Sequence, residues 1–394
     1  MVYIAAVLCL AEVLTMTGVS TYAALLPVLR AEWRTTNTVA GVISGAFFAG
    51  YMIAVPLLVS LTDRVAARRV YIWGCGALAA GSAAFAYASG PVTAMLAQAL
   101  LGAGLAGTYM PGLKELSDRT AGRPRQSRAI AFYTSTFGIG SSLSLWMAGA
   151  LQVRAGWRVA FLAAGAGPSA AAALILLALP SRPFAPPLVS RRGLFRTVLR
   201  DRRITSYVIG YAAHCFELFA VRSWIVAFLA FAASGAALPP ATIAAIVNLF
   251  GPPASISGNE VAAGRRVRTV RWLMAAGAVL ACATGLVSGM GAMVVIAVTS
   301  VYVLFIMADS AALTAGLIEV SPPEARGTAM AVYSFFGFGG ALLGPITFGA
   351  LLDAGGGASA HGAWRLAFAG VAIVSLAGVA ALGPAIGNRA TAIR

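Results

Sequence analysis

Five ionisable side chains lie inside long apolar stretches of the chain, where a charge is costly and a chemical role is the first expectation. They are Glu12, His214, Glu217, Arg222 and Asp309. Burial disfavours the charged form of a carboxyl group, so the three acids are candidates to bind and release a proton. The imidazole of His214 is suited to relay such a proton. The guanidinium of Arg222 is suited to bind an anion through charge-assisted hydrogen bonds.

Helical spacing brings several of these groups to one face. At 100° per residue, an arc of about 140° on one helix holds five polar residues: Tyr207, Tyr211, His214, Glu217 and Arg222. A single polar face of this kind is typical of a helix that borders a water-filled path. Structural alternatives stay open, in which Arg222 pairs with Glu217 or with Glu12 and merely holds helices together. We favour a functional role, because buried ion pairs are poor stabilisers.

A second, shorter polar face lies near the N-terminus. Glu12, Thr15 and Tyr22 share a similarly narrow arc on the first apolar run. At 1.5 Å per residue, Glu12 and His214 each lie roughly 15 Å from the start of their own helices. Both helices therefore carry an ionisable group near mid-depth.

The composition excludes an ordinary soluble protein. Of the 394 residues, 60% are hydrophobic, 10% are charged and 44 are glycine. A soluble domain of this length could not bury so much apolar surface, whereas a lipid bilayer can. The net charge of +16 would suggest nucleic acid in a soluble protein. Here the arginines cluster in short connectors between apolar runs, which indicates topology signals and lipid headgroup contacts, with no nucleic acid as partner.

The cysteines and histidines give no cofactor site. The four cysteines lie singly within apolar runs, which indicates neither a disulfide framework nor a zinc site. His214, Cys215 and Glu217 look like a ligand set, but three neighbouring residues of one helix rarely suffice for a metal. We therefore expect neither a metal nor a cofactor. The lack of a nucleophile–base motif also disfavours an enzyme.

The apolar runs predict twelve membrane-spanning helices, since one span needs about 20 residues. Six runs precede and six follow a basic stretch, 181–203, that holds seven arginines. The predicted spans are residues 2–29, 39–61, 70–89, 91–113, 129–152, 157–180, 204–231, 240–259, 272–289, 291–317, 328–352 and 364–385. The predicted domains are an N-terminal six-helix bundle (1–180), a cytoplasmic linker (181–203) and a C-terminal six-helix bundle (204–394).

The placement of basic residues predicts the orientation. With the N-terminus inside, the inner connectors hold 22 arginines and lysines and the outer ones hold five. The positive-inside rule then places both termini and the linker in the cytoplasm. Arginine accounts for 27 of the 28 basic residues, which indicates a GC-rich bacterial gene and hence a bacterial inner membrane. At the predicted outer boundary we expect an aromatic belt of Trp33, Trp157 and Trp364.

An internal repeat relates the two halves. The pattern S-x-x-D-x-x-A-x-R-R at 60–69 returns as S-x-x-E-x-x-A-x-R-R at 257–266, and W-R-x-A-F at 157–161 returns at 364–368. Between these markers, Tyr133 and Gly140 each recur 200 residues later. Six spans per copy give both copies the same orientation, so the repeat is parallel, with its axis along the membrane normal.

Six plus six spans, a basic central linker and an acid–arginine cluster after span 2 resemble the major facilitator superfamily over essentially the whole chain. The loop motif of that family is G-x-x-x-D-R-x-G-R-R, of which this chain keeps Asp63, Arg64 and Arg68 but neither glycine. The resemblance implies that these three form an inner charge cluster that locks one state. The second copy offers Glu260, Arg265 and Arg266. Alternatively, these arginines only enforce topology.

Other motifs of the family are altered. Where span 4 often has R-x-x-x-G, this chain has Gln98 before Gly102, and the G-x-x-x-G-P motif of drug exporters appears at 340–345 in span 11 rather than in span 5. Both departures disfavour a drug exporter, while the small residues let helix backbones approach closely. The G-x-G-x-x-G run at 102–107 resembles a dinucleotide fingerprint, but no strand precedes it, so helix packing is expected.

The resemblance implies an all-α polytopic membrane protein that moves a small solute by alternating access of its two halves. We expect a monomer that carries an organic anion with coupled protons. The candidate substrate-binding residues are Arg222, Tyr211, His214, Tyr22 and Gln98, and the candidate proton-coupling residues are Glu217, Glu12 and Asp309. A proton-driven drug or metabolite exporter is the alternative. A non-transporting membrane sensor or assembly factor also stays open, although the connectors are short for a partner surface.

Overall fold

Every regular element that the computed structural model describes is helical, and the model describes residues 2–62, 64–123, 126–180, 194–322 and 325–383. Asp63 and most of the predicted linker, residues 181–193, lie outside these ranges. The helices are α1 (Val2–Thr15), α2 (Thr21–Glu32), α3 (Asn37–Leu61), α4 (Ala67–Ala86), α5 (Pro91–Thr120), α6 (Gln126–Ala178), α7 (Leu194–Arg200), α8 (Arg202–Ala232), α9 (Pro240–Leu249), α10 (Gly251–Ala262), α11 (Arg266–Leu286), α12 (Ala292–Ala308), α13 (Ser310–Val320), α14 (Arg326–Ala354) and α15 (His361–Ala381).

The helices account for the twelve predicted spans. Within the described residues, ten segments are long and apolar enough to cross a membrane. One of them, of 51 residues, holds two spans because α6 contains a break at Gly156. The helix α4 supplies the remaining span over 20 residues, and Arg68 and Arg69 in its first turn make it less apolar than the others. The chain is therefore an all-α, multi-pass membrane protein.

The break in α6 is formed by a single glycine. Gly156 has φ 84° and ψ 166°, a backbone conformation that is essentially confined to glycine. A continuous helix of the 53 residues of α6 would extend about 80 Å at 1.5 Å per residue, more than twice the hydrocarbon thickness of a bilayer. The chain must therefore turn back into the membrane at Gly156, and it does so without a separate loop.

Spans 8 and 10, predicted as continuous, are each interrupted. Span 8 is divided between α9 and α10, because Pro252 and Pro253 have no N–H group to continue the helical hydrogen bonds. Span 10 is divided between α12 and α13 at Asp309. There the N–H group of Ala311 donates to the hydroxyl of Ser255 at 3.2 Å. Span 1 is interrupted by a 3₁₀ turn between α1 and α2, residues Met16–Gly18.

Contacts group the helices into two compact units. Of the described residues, unit 1 holds 2–35, 42–180 and 241–249, and unit 2 holds 36–41, 194–240 and 250–383. Each unit has an aromatic core close to one of the repeated W-R-x-A-F motifs. The predicted aromatic belt is wrong for two of its three tryptophans, because Trp157 and Trp364 are 4% and 0% exposed. Trp157 packs edge-on against Phe85, and Trp364 packs against Phe228.

Replacing Gly156 by alanine should destabilise the protein through its backbone conformation alone. A Cβ atom there would meet no atom within 4 Å, so no steric clash contributes. We expect a loss of about 1–3 kcal/mol in the free energy of unfolding, measured by thermal or denaturant unfolding in detergent. The matched control is Gly76→Ala, because Gly76 is exposed in α4 with open space around it. Alanine there should be neutral or stabilising, and equal effects of the two changes would contradict the assignment.

Candidate functional site

The polar face of α8 is oriented by close packing against α14. A Cβ atom on Gly340 would lie 2.1 Å from the carbonyl oxygen of Ala212, and one on Gly344 would lie 2.3 Å from that of Phe216. Only glycine fits at such distances, so the expectation that the small residues of span 11 permit close helix packing is confirmed. This contact fixes the rotation of α8 and hence the directions of its polar side chains.

His214 and Asp309 form a buried pair at the break in span 10. The Nδ1 atom of His214 lies 2.7 Å from Oδ1 of Asp309, and the two side chains are 1% and 3% exposed. The two atoms are within ion-pair distance, but their angles are not those of a hydrogen bond. The contact is an ion pair when the imidazole carries a proton on both ring nitrogens.

Glu217 lies one turn further along α8 and is bound by two hydroxyl groups. Tyr302 of α12 donates to Oε1 at 2.9 Å, and Ser375 of α15 donates to Oε2. The Glu217 side chain is almost completely buried. Hydroxyl groups can donate to a carboxylate or accept from a carboxylic acid, so these partners suit either protonation state. The carboxyl group ties α8 to two other helices of unit 2.

The remaining members of the polar face differ in exposure. Tyr207 is buried, and its ring fills the space beside Gly316. Tyr211 is half-buried and stacks on Tyr333, with ring centroids 3.8 Å apart. Arg222 is also half-buried, with Nη2 3.5 Å from the sulfur of Met307. The predicted polar face is thus mostly covered by protein, and partial exposure remains at Tyr211 and Arg222.

Arg222 also lies against an aromatic ring. Its guanidinium carbon is 5.8 Å from the ring centroid of Phe219. The structure brings Arg222, His214 and Glu217 onto one helix, and it brings Asp309 to His214.

Unit 1 contains a separate carboxyl network around Glu12. Its side chain is 0% exposed, and the hydroxyl of Tyr133 donates to Oε2 at 2.8 Å. The same hydroxyl lies 3.1 Å from the carbonyl oxygen of Tyr109. One hydroxyl proton cannot serve two acceptors fully. If Glu12 is protonated, it can donate to Tyr133, which then donates to Tyr109, so the geometry accommodates a proton on Glu12.

The other candidates of unit 1 are buried in different surroundings. Tyr22 is 4% exposed and packs edge-on against Phe85, with ring centroids 5.8 Å apart. Gln98 is 4% exposed within α5. Both are therefore part of the packed interior of unit 1.

The arginines predicted for the inner charge cluster make different contacts in the two units. In unit 1, Arg68 donates to the carbonyl oxygens of Ile175 and Leu176 at 3.3 and 3.1 Å, which suits a cation near the end of a helix, and Arg64 is exposed. In unit 2, Glu260 and Arg265 are exposed.

Arg266 has partners that were not predicted. It binds Glu319 through two hydrogen bonds of 2.7 and 3.1 Å and donates to Asn259 at 2.6 Å. In unit 1 the repeat partner of Glu319 is Glu115, which accepts from Arg119 at 2.6 Å. The pattern L-x-E-x-S at 113–117 returns at 317–321, and its acid binds an arginine in both units.

The hydroxyl partners of the acids were missed from sequence. Tyr133 was noted only as a marker of the repeat, and Tyr302 and Ser375 carry no sequence signal of their own because isolated hydroxyls are common in spanning helices. The repeat partner of Tyr133 is Tyr333, whose hydroxyl lies 3.2 Å from that of Thr314. Across the described ranges, no group of three or more metal-ligating side chains is placed to hold a metal ion.

The G-x-G-x-x-G run at 102–107 packs helices, as expected. A Cβ atom on Gly102 would lie 1.8 Å from the carbonyl oxygen of Phe47, and one on Gly107 would lie 2.9 Å from Cα of Gly74. The run lies inside α5, at backbone contact with α3 and α4.

Comparison with known proteins decides the family. Residues 8–318 match the family model of the Major Facilitator Superfamily. The chain belongs to the major facilitator superfamily. Members of this superfamily are transporters of small molecules, so the chain is a transporter rather than an enzyme. No curated protein sequence matches it.

Solved structures of transporters share the fold. A bacterial homolog to the human lysosomal transporter Spinster, in an inward-facing and occupied conformation, has a TM-score of 0.80 at 16% identity, over 97% of this chain and 96% of that one. A mutant of the nucleoside transporter NupG has a TM-score of 0.79 at 15% identity, over 96% of this chain and 99% of that one. At such identities the likeness concerns the fold.

Replacing Ser375 by alanine should lower the free energy of unfolding, because Glu217 loses a hydrogen-bond donor. The change removes one of the two hydroxyl donors of a buried carboxyl group, which should cost about 1–3 kcal/mol of unfolding free energy. The measurement is thermal unfolding of the purified protein in detergent. The control is Ser169→Ala, because that hydroxyl bonds only the carbonyl of Gly165 in its own helix. A Ser375 variant as stable as the control variant would contradict the described network.

Proposed function

We propose that this transporter carries a small organic anion with coupled protons, and that Arg222 binds the anionic group. The supporting observation is the half-buried guanidinium of Arg222 on the helix that also carries His214 and Glu217. A cation inside a membrane span is costly and is retained where it serves a substrate or ion path. A guanidinium group binds a carboxylate through two parallel charge-assisted hydrogen bonds, which suits Arg222 to an anionic substrate.

The position of Arg222 along α8 supports this role. It lies ten residues before the end of α8 at Ala232, and so about 15 Å from that end at 1.5 Å per residue. Glu217 lies about 7.5 Å away along the axis. Anion binding and proton binding would therefore occur at different depths of one helix.

The proton-binding candidates are the buried acids. Glu12 and Glu217 each bind a hydroxyl group that suits either protonation state, and Asp309 lies 2.7 Å from the imidazole of His214. Protonation of one of them would cancel a charge in the apolar interior and so reduce the cost of moving the helices past lipid or past one another. His214 would pass the proton between Asp309 and water.

The proposal also covers how the two halves of the protein move and how the protein is oriented in the membrane. The two sequence halves, 1–180 and 204–394, rock around the substrate as repeats, with the linker 181–203 joining them. Both termini face the cytoplasm of a bacterial cell, on the side where basic residues accumulate. The functional form is a monomer surrounded by lipid.

Removing the charge of Arg222 should impair anion uptake. In proteoliposomes tested with a panel of radiolabelled mono- and dicarboxylates, Arg222→Gln should raise the KM by about tenfold or more, since a hydrogen bond to a charged group contributes about 1.5–3 kcal/mol. Arg222→Lys should restore part of the affinity.

The matched control is Arg365→Gln, because Arg365 is exposed on α15. If Arg222→Gln leaves carboxylate uptake unchanged, Arg222 does not bind the anionic group. Transport of lipophilic cations, with no transport of any carboxylate, would favour the alternative of a proton-driven exporter.

Replacing a coupling acid by its amide should separate exchange from proton-driven transport. Glutamine cannot release a proton but keeps the shape and an acceptor oxygen. In Glu217→Gln or Glu12→Gln, a pH gradient should no longer accelerate uptake, whereas exchange of labelled for unlabelled substrate should continue, because exchange needs no net proton movement. Both assays use the same proteoliposomes. If the gradient still drives uptake in both variants and in Asp309→Asn, these acids do not carry the coupling proton.

A further inference from the structure

An apolar cavity lies within unit 2, where α7 packs on α8 and α14. Its volume is about 240 Å³, and each of the three helices contributes to its walls, with Val198 and Leu199 from α7, Val208 and Ile209 from α8, and Val332 and Phe336 from α14. An engineered apolar cavity of roughly 150 Å³ stays free of water and binds benzene. The larger cavity of unit 2 is therefore suited to part of a hydrocarbon chain.

Thr205 is the polar residue in the walls that the structure describes, and its hydroxyl is bonded to the backbone. The hydroxyl donates to the carbonyl oxygen of Asp201 at 2.9 Å and lies 3.3 Å from that of Leu199. These contacts also hold the end of α7 against the first turn of α8. With this hydroxyl engaged, the walls suit an apolar ligand better than a polar one or water.

The cavity opens on the surface of the protein. Three of its apolar lining residues are well exposed, namely Leu199 (43%), Ile209 (48%) and Phe336 (46%). Large apolar side chains on the surface of a membrane-spanning helix suit contact with lipid chains, which are as apolar as leucine. A lipid chain therefore has a route into the cavity from the bilayer.

Exposed arginines lie at the same end of α8. Arg200 follows the lining residue Leu199 directly, and Arg196 lies one turn earlier on the same face of α7. Arg202 is exposed in the first turn of α8. No ion pair within the described ranges includes any of these three arginines. They place positive charge beside an apolar cavity at the end of a membrane span.

The acid in this stretch has a separate role. Asp201 accepts from the N–H groups of Arg203 and Ile204 at 2.8 and 3.3 Å, and so caps the N-terminus of α8. Its carboxylate serves the helix, whereas the arginines beside it are suited to an anion from outside the protein.

We propose that unit 2 binds one anionic phospholipid here, with an acyl chain in the cavity and the phosphate on Arg196 and Arg200. An apolar chain and an anionic headgroup in one molecule match an apolar cavity with adjoining arginines, and guanidinium groups bind phosphate through paired hydrogen bonds. The lipid fills the space beneath α7 and ties this short helix to the headgroup region. The proposal involves unit 2 alone and is independent of the transported substrate and of proton coupling.

Native mass spectrometry of the full chain tests the headgroup contact. The protein is released from detergent that contains equal amounts of phosphatidylglycerol and phosphatidylcholine, and we expect one phosphatidylglycerol to be retained in preference. Replacing both Arg196 and Arg200 by glutamine should lower that population about tenfold, because each arginine near an anionic headgroup contributes about 1 kcal/mol.

The matched control replaces Arg265 and Arg268 by glutamine, since both are exposed and lie in the same unit. It should leave the retained phosphatidylglycerol unchanged. An equal loss in the two double variants would show unspecific attraction to basic surface, and equal retention of phosphatidylcholine would show a lipid bound without its charge. Either result would overturn the proposal.

Fluorescence quenching tests where the chain lies. A bimane label is attached to Phe335→Cys after replacement of the four natural cysteines, because Phe335 is exposed and its ring centroid lies 5.7 Å from that of Phe336. In phosphatidylcholine vesicles, phosphatidylglycerol with a spin-labelled acyl chain should quench this label several-fold more than an equal amount of spin-labelled phosphatidylcholine. Replacing Arg196 and Arg200 by glutamine should remove the difference.

The control label is placed at Ile373→Cys, on the exposed face of α15, where both lipids should quench equally. Retention of phosphatidylglycerol without preferential quenching at Phe335 would mean that the chain lies outside the cavity. No quenching at Phe335 by either lipid would mean that protein covers the cavity. Both outcomes would overturn the proposal, and neither depends on the uptake of carboxylates, so it fails separately from the proposed function.

Discussion

A polar group inside a membrane must find its partner within the protein, because the hydrocarbon offers none. In the described spans, the buried acids Glu12, Glu217 and Asp309 contact hydroxyl or imidazole groups of other helices. Glu217 is bound by Tyr302 and Ser375, and Glu12 is bound by Tyr133. Each acid is therefore tied to particular neighbouring helices. A change in its protonation would alter the hydrogen bonds between those helices.

The sequence was sufficient for the spans and for the repeat, because hydropathy and repeated motifs are local signals. It was insufficient for the partners of the acids. Ser375 lies 158 residues from Glu217, and the pairing depends on which helices become neighbours. The burial of Trp157 and Trp364 was also missed, because hydropathy does not distinguish a tryptophan in an aromatic core from one at the membrane interface. The break in span 8 has a local cause in the sequence, Pro252 and Pro253, which hydropathy alone does not reveal.

The two repeats use equivalent tyrosines differently. Tyr133 binds the acid of span 1, whereas its counterpart Tyr333 stacks on Tyr211 and lies beside Thr314. The acid of span 7 instead takes its hydroxyl donors from α12 and α15. The copies share a backbone plan but have diverged in their polar interior.

The single-glycine connection at Gly156 has a mechanical consequence. A loop of several residues would give spans 5 and 6 slack, so that each could slide or tilt without pulling on the other. Without a flexible loop, a displacement along one span is transmitted directly to the next, and the two spans move as one rigid unit. An insertion at Gly156 would break this connection. Variation in length at this point would therefore be selected against, even though Gly156 has no chemical role.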